Sequence, residues 1–190
     1  MTANGAKKPK VAWGITGAGD KIGDFIEEMK KIQQEYADRV EIQVFLSKAG
    51  DQVLKYYRLE EDLKQYFGKI RVEINSNAPF LAAWMQMRKY EFLLIAPATS
   101  NTVSKIANSI GDTMLTNAAI MSLKAFVPVY IAPTDYQKGI VYTKLPNGKE
   151  MKLRVRKEEV KQVSKLELME DVYVIRSPKK IRQIFRERFK

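Results

Sequence analysis

The stretch Phe92–Thr102, together with the run Val103–Gly111 behind it, constrains this chain more than any other. Phe92-Leu93-Leu94-Ile95-Ala96 suits a strand buried on both faces, and Pro97 is a residue that ends ladder pairing. Thr99-Ser100-Asn101-Thr102 then delivers the chain into a helix whose apolar positions Val103, Ile106, Ala107 and Ile110 recur at helical spacing. A strand, a polar turn and a helix start follow one another without slack, which is the unit from which open parallel sheets are built.

Such a turn falls at the carboxyl end of its strand, where open α/β sheets bind ligands and where the free amides of a new helix attract anions or carbonyl oxygens. The hydroxyls of Thr99, Ser100 and Thr102 and the amide of Asn101 can cap that helix or meet a ligand. On this short motif alone, capping is the leading reading, because Ser, Thr and Asn are the preferred residues at a helix start.

The rest of the chain repeats the pattern. Val11–Thr16 reads as a first buried strand, Gly17-Ala18-Gly19-Asp20 as a tight turn, and Ile22, Phe25, Ile26, Met29 and Ile32 as one face of a helix. The spacing Gly14, Gly17, Gly19, Gly23 does not match the dinucleotide fingerprint, so a mononucleotide phosphate and an unliganded turn fit it equally. Val40–Leu46 is a second strand, ending in Ser47-Lys48-Ala49-Gly50 before a helix with Val53, Leu54 and Tyr57 inward. A polar helical patch from Glu60 to Tyr66 closes at Gly68, and Ile70–Ile74 alternates like a strand nearer the sheet edge.

Pro79 suits the first turn of a helix carrying Phe80, Leu81, Trp84 and Met87. Asp112 is the expected cap of a later helix with Met114, Leu115, Ala118, Ala119 and Met121 on its apolar side. Val127–Ile131 is a further strand, where Pro128 implies an edge position or a bulge, and Ala132-Pro133-Thr134-Asp135 is another small polar turn. Turns of this kind after successive parallel strands converge on one rim, which capping alone explains poorly. Gly139–Thr143 and Met151–Val155 flank Asn147-Gly148 as a hairpin, followed by a basic helix over 157–169, a short strand over 172–175 and a final helix over 178–189.

At 190 residues with 45% apolar side chains, the chain suits one domain: a flexible tail over 1–9, a core over 10–135, and a basic hairpin and helical extension over 136–190. It has neither cysteine nor histidine. Disulfides, thiolate-held metals, and Ser-His-Asp or Cys-His catalysis are therefore excluded. No apolar run approaches a bilayer-spanning length, and Met1–Pro9 lacks the apolar core of a signal peptide, so a soluble cytoplasmic protein that avoids membranes is expected.

The net charge of +11 is unevenly placed: residues 138–190 carry 16 Lys and Arg against 7 Asp and Glu, hence +9 of the total. This half suits either docking of an acidic partner or plain solvation. Nucleic acid is the poorer fit for Lys179, Lys180, Arg182, Arg186, Arg188 and Lys190, since no recognised binding module and little aromatic interleaving accompany them.

Gly14-Ile15-Thr16-Gly17-Ala18-Gly19, Leu46-Ser47-Lys48-Ala49, Ala96-Pro97-Ala98-Thr99-Ser100-Asn101-Thr102-Val103-Ser104-Lys105-Ile106-Ala107 and Asp112-Thr113-Met114-Leu115-Thr116 together resemble the homo-oligomeric flavin-containing flavoproteins, a family that includes cysteine decarboxylases and flavin prenyltransferases. The resemblance spans roughly residues 10–135 and is nearest to the archaeal branch, the archaeoflavoproteins. It implies a Rossmann-like (flavodoxin-like) α/β three-layer sandwich that binds FMN, with FAD as the alternative, in trimers or multiples of trimers. Carried over by motif, Gly17, Ala18 and Gly19 cradle the phosphate and Ser47 closes the site. Thr99, Ser100, Asn101 and Thr102 line the flavin, with Ala96 and Pro97 against its ring and Thr116 nearby.

Departures from the family pattern narrow the function. The decarboxylases use a histidine and a Pro-x-Met-Asn turn, whereas this chain has no histidine and reads Ala132-Pro133-Thr134-Asp135 there. The phosphate turn and arginine-rich strand entry of the prenyltransferases correspond to Leu123-Lys124-Ala125-Phe126-Val127, which leaves prenyl transfer the lesser alternative. What remains is redox chemistry carried by the flavin itself, with no catalytic side chain required. The basic half then suits an acidic ferredoxin-like electron donor. Because the resemblance also reaches the dihydromethanopterin reductases, a pterin substrate stacked near Trp84 or Tyr136 is the main enzymatic alternative.

Overall fold

The computed structural model describes residues 7–19 and 21–190. Most of the expected tail, and Asp20 of the first turn, lie outside the described residues. Six parallel strands form the central sheet: β1 (Lys10–Ile15), β2 (Glu41–Leu46), β3 (Ile70–Val72), β4 (Phe92–Ala98), β5 (Val129–Pro133) and β8 (Val172–Val174), in the order β3-β2-β1-β4-β5-β8. A separate antiparallel hairpin pairs β6 (Gly139–Lys144) with β7 (Glu150–Val155).

Alternating residues of each strand feed two cores. Val11, Trp13, Phe92, Leu94 and Tyr130 pack against α1 (Ile22–Tyr36), α2 (Lys48–Tyr56), α3 (Glu60–Phe67) and α8 (Lys179–Arg188). Ala12, Phe45, Leu93, Ile95, Val129 and Ile131 face α4 (Leu81–Gln86), α5 (Ser100–Ala107), α6 (Met114–Lys124) and α7 (Lys157–Glu167). Covering both faces is what a fully apolar parallel sheet requires. The strand order reverses between β1 and β4, so crossovers leave the sheet on opposite sides there and open a crevice at their carboxyl ends.

Several expectations change in three dimensions. Pro97 does not end β4: the strand runs on to Ala98, which pairs with Pro133 after a register shift between Ile95 and Ala98. The extra residue also moves Ala98 into the same core as Leu93 and Ile95, whereas strict alternation from Phe92 would send it to the other. Pro128 marks no edge. It stands one residue before β5, which pairs on both sides, and its carbonyl accepts the Leu93 amide at 3.0 Å. Asp112 is not the α6 cap, since it pairs with Lys105 at 2.8 Å while Thr113 forms a capping box with Thr116. The helix α5 stops at Ala107 and leaves Ile110 exposed, and α4 starts at Leu81, with Leu81 and Met85 inward and Phe80 and Met87 outward.

The last helix is held by aromatic packing. Phe185 is fully buried, with ring centroids 5.6 Å from Phe92, 5.7 Å from Tyr36 and 5.5 Å from Phe189. Phe185→Ala is expected to lower unfolding free energy by about 3–5 kcal/mol in urea denaturation, the range for emptying such a site.

Burial also pushes the Tyr90 phenol from 10.0 up to about 12, and its hydroxyl donates to Gln43 Oε1 at 2.7 Å. The unfolded chain therefore ionises first, so this contribution to stability is complete below pH 10 and is lost as pH rises toward 12. Denaturation midpoints should fall across that window, and Tyr90→Phe should flatten the fall.

Candidate functional site

The carboxyl ends of β2, β1, β4 and β5 lie side by side and bring four turns onto one rim: Ser47–Gly50, Thr16–Gly19, Thr99–Thr102 and Thr134–Tyr136. The β1 and β4 turns are tied by one side chain. Thr16 Oγ1 donates to the Pro97 carbonyl at 2.8 Å and accepts the Thr99 amide at 2.9 Å, while the Thr16 amide also reaches Pro97 O at 3.3 Å. The neighbouring carbonyl, Ala96 O, accepts the buried Trp13 indole at 2.7 Å. The Cα pairing of β1 with β4 runs only as far as Gly14 and Ile95, and these two side chains satisfy carbonyls beyond it.

The glycines let the turns touch backbone to backbone. A Cβ on Gly50 would stand 2.4 Å from the Ile15 carbonyl oxygen, and one on Gly17 would stand 2.8 Å from the Ala49 Cβ. The first two turns therefore close on each other with only the Ala49 methyl between them. Gly19 packs under the Tyr57 ring, and the Tyr57 hydroxyl donates to Lys144 O at 3.2 Å, which holds the distal end of the hairpin over the glycine loop.

The helix starts differ in how they are capped. Ser47 Oγ accepts the Gly50 amide at 2.9 Å and caps α2, Thr99 Oγ1 accepts the Thr102 amide at 3.3 Å and caps α5, and Thr113 caps α6. The cap residue of α1, Lys21, makes no side-chain cap, although this is the longest helix among the described residues. The first amides of α5 have no intrahelical acceptor either. The rim thus gathers N–H and O–H groups around one carboxylate, that of Asp135, which already accepts the Ser100 hydroxyl.

Of the residues singled out from the sequence, Gly17, Ala18, Gly19, Ser47, Thr99, Ser100, Asn101 and Thr102 lie on this rim. Asn101 is exposed, the Thr99 and Thr102 hydroxyls stand 3.1 Å apart, and Ser100 Oγ donates to the Asp135 carboxylate. Ala96, Pro97 and Thr116 are buried instead. The Ala96 side chain belongs to the core, the Pro97 carbonyl is held by Thr16, and the Thr116 hydroxyl lies 2.8 Å from that of Thr113. They fix the backbone beneath the rim. Tyr136 stands at the rim with Lys21 Nζ 5.2 Å from its ring centroid, whereas Trp84 lies elsewhere, on a cavity wall with Lys10 and Glu91.

One organising residue escapes sequence reading. Glu73, buried just beyond β3, accepts the Lys48 amide at 3.2 Å and the Met114 amide at 3.0 Å. One carboxylate therefore joins the starts of α2 and α6, which are distant in sequence. Among the described residues there is no cluster of His, Cys, Asp or Glu fit to hold a metal, and no helix long and apolar enough to cross a membrane.

The switch-point crevice and its donor-lined rim define a doubly wound α/β protein of the nucleotide-binding type. A family model described as Flavoprotein matches residues 2–184, and the chain belongs to that family. It is 44% identical over 175 residues to the uncharacterized protein MJ0730 of Methanocaldococcus jannaschii, covering 92% of this chain and 93% of that protein. It is 29% identical over 236 residues to the dihydromethanopterin reductase (acceptor) of the same organism, covering 93% and 95%. Among solved structures, Burkholderia xenovorans DmrB in complex with FMN, described as a cubic protein cage for redox transfer, matches with a TM-score of 0.79 and 28% identity over 96% of each chain.

Replacing Glu73 by Gln puts an N–H donor opposite one of the two amides. Glu73→Gln is expected to cost about 1–3 kcal/mol in chemical denaturation, the penalty for an unsatisfied buried donor.

Proposed function

We propose that this chain is an FMN-dependent redox flavoprotein that accepts electrons from an acidic ferredoxin-like donor and passes them to a further acceptor. The observation that carries this reading is the convergence on one rim of the glycine loop, the start of α1, which has no side-chain cap among the described residues, and the hydroxyl-bearing turns, in a chain without histidine or cysteine. The donors fit the group. Open amides and hydroxyls suit a phosphate and the carbonyl-bearing edge of a flavin, and a flavin supplies electron transfer that the side chains lack.

In this reading Gly17, Ala18 and Gly19 and the first amides of α1 hold the phosphate, and Ser47 closes the site from β2. Thr99, Ser100, Asn101 and Thr102 line the ring, while Ala96, Pro97 and Thr116 hold the rim in shape. Family membership and the FMN-bound DmrB relative support the cofactor. The cubic assembly of that relative supports self-association, which in this reading takes the form of trimers or multiples of them.

The donor surface is the hairpin rather than the last helix. On α8, Arg182 pairs with Glu28 at 3.0 Å and Arg188 reaches the Tyr130 hydroxyl at 3.1 Å, so those two charges serve the fold and leave Lys179, Lys180 and Arg186 exposed. On the hairpin, Lys138, Lys144, Lys152 and Arg154 are exposed and have no carboxylate within ion-pair distance among the described residues. Tyr142 is paired with Lys152 and Ile140 with Arg154, a mixture of exposed apolar and cationic side chains suited to an acidic protein.

A second reading, reduction of a pterin, is favoured by the dihydromethanopterin reductase relative and by Tyr136 at the rim. Purified protein supplemented with FMN should be yellow and release FMN on denaturation. Its reduction by a reduced ferredoxin should slow as salt rises, and K152E/R154E should slow it about tenfold at low salt. A colourless protein overturns the flavin reading. A salt-independent rate overturns hairpin docking, and turnover of dihydromethanopterin with no ferredoxin reaction favours the pterin reading.

A further inference from the structure

The edge strand β3 is shorter than its neighbour. Ile70, Arg71 and Val72 pair with Val44, Phe45 and Leu46, which leaves Glu41–Gln43 of β2 without a strand on that side. A notch results at the amino end of the sheet, about 16 Å along β2 from the rim described above. Two cavities of about 450 and 460 Å³ open there, and Lys8, Gln43 and Arg71 line both.

The notch is cationic. Lys7, Lys8, Lys10, Lys69, Arg71 and Lys89 line it against only Glu41 and Glu91, and Glu41 is taken by Lys10 at 3.2 Å. Burial acts to raise the Glu41 carboxyl, but hydrogen bonds from Gln43 and Lys10 and the charges of Lys10 and Arg71 hold it below its ordinary value, so it stays ionised and paired.

Arg71 is the key group. It is half-buried and has no carboxylate within ion-pair distance among the described residues. Its guanidinium stands 5.5 Å from the Phe45 ring centroid and 5.8 Å from that of Trp84. Aromatic packing thus places the planar fork in advance, at the mouth of both cavities, without neutralising it. Next to it the Gln43 carboxamide is fixed by Tyr90 and Glu41, and Trp84 and Tyr90 supply a flat wall. A preplaced guanidinium, surrounding lysines and an aromatic wall together match a multivalent oxyanion.

We infer that this notch is a second binding site, separate from the rim, that takes a phosphate-bearing small molecule with Arg71 as its principal anchor. The inference does not rest on the flavin reading, because the site shares no residue with the rim.

Calorimetric titration of the FMN-saturated protein with inorganic phosphate, AMP and ADP tests it, with tryptophan fluorescence followed in parallel. Saturable binding of at least one of them is expected. Arg71→Gln should weaken it about tenfold or more, and Arg71→Lys less, since charge is kept while the fork is lost. Visible absorbance of the bound flavin and thermal midpoint should stay unchanged in both variants. Binding of AMP or ADP that changes Trp84 emission, absent in Trp84→Phe, identifies a nucleotide as the source, whereas equal binding of phosphate alone identifies the free anion. The inference is overturned by the absence of saturable binding, by binding undiminished in Arg71→Gln, by competition between these ligands and FMN, or by self-association that closes the notch to all of them.

Discussion

The whole rim depends on a break in one ladder. Between Ile95 and Ala98 the register of β4 against β5 slips, so the carbonyls of Ala96 and Pro97 leave the regular pairing pattern in a buried place. Unpaired carbonyls there would cost as much as lost hydrogen bonds, so each needs another partner. Trp13 supplies one and Thr16 the other, both from β1. The Thr16 hydroxyl then accepts the Thr99 amide, so the start of α5 is fixed relative to the glycine loop. A local irregularity in a single strand thereby positions two of the turns that a ligand would meet.

The neighbouring turns are set by equally specific close contacts. Gly50 against Ile15 and Gly17 against Ala49 bring the β1 and β2 turns together, and Glu73 locks α2 to α6 through two amides. None of these contacts needs a bound group. The rim is therefore built before any ligand arrives, and a preorganised donor set of this kind loses little entropy on binding. Electrostatics divides the rest of the surface. On α8, Arg182 and Arg188 are drawn into the fold by Glu28 and Tyr130, while Lys138, Lys144, Lys152 and Arg154 of the hairpin and Arg71 of the notch have no carboxylate within ion-pair distance among the described residues.

Much of this was legible in the residues. The apolar runs at 11–16, 40–46 and 92–96, each followed by small polar residues and a helical period, specify parallel strands with turns on a common rim, because side-chain patterning reports burial directly. The hairpin at Asn147-Gly148 was equally plain, since that dipeptide suits a tight turn. Caps are less legible than strands. Asp112 and Thr113 are both good cap residues, and the choice fell to Thr113 because Lys105 claims Asp112 from a neighbouring element.

The sequence by itself determined the strands, the polar turns between strand and helix, and the exclusion of thiol and imidazole chemistry, because these follow from local pattern and composition. Only the tertiary structure decided that β4 continues through Pro97, that β5 is interior despite Pro128, that Glu73 joins two distant helix starts, and that Arg71 overlooks an open notch rather than a carboxylate. Each of those depends on which segments become neighbours in space, from 25 residues apart for Lys48 and Glu73 to 41 for Glu73 and Met114, and no local propensity encodes such a partner.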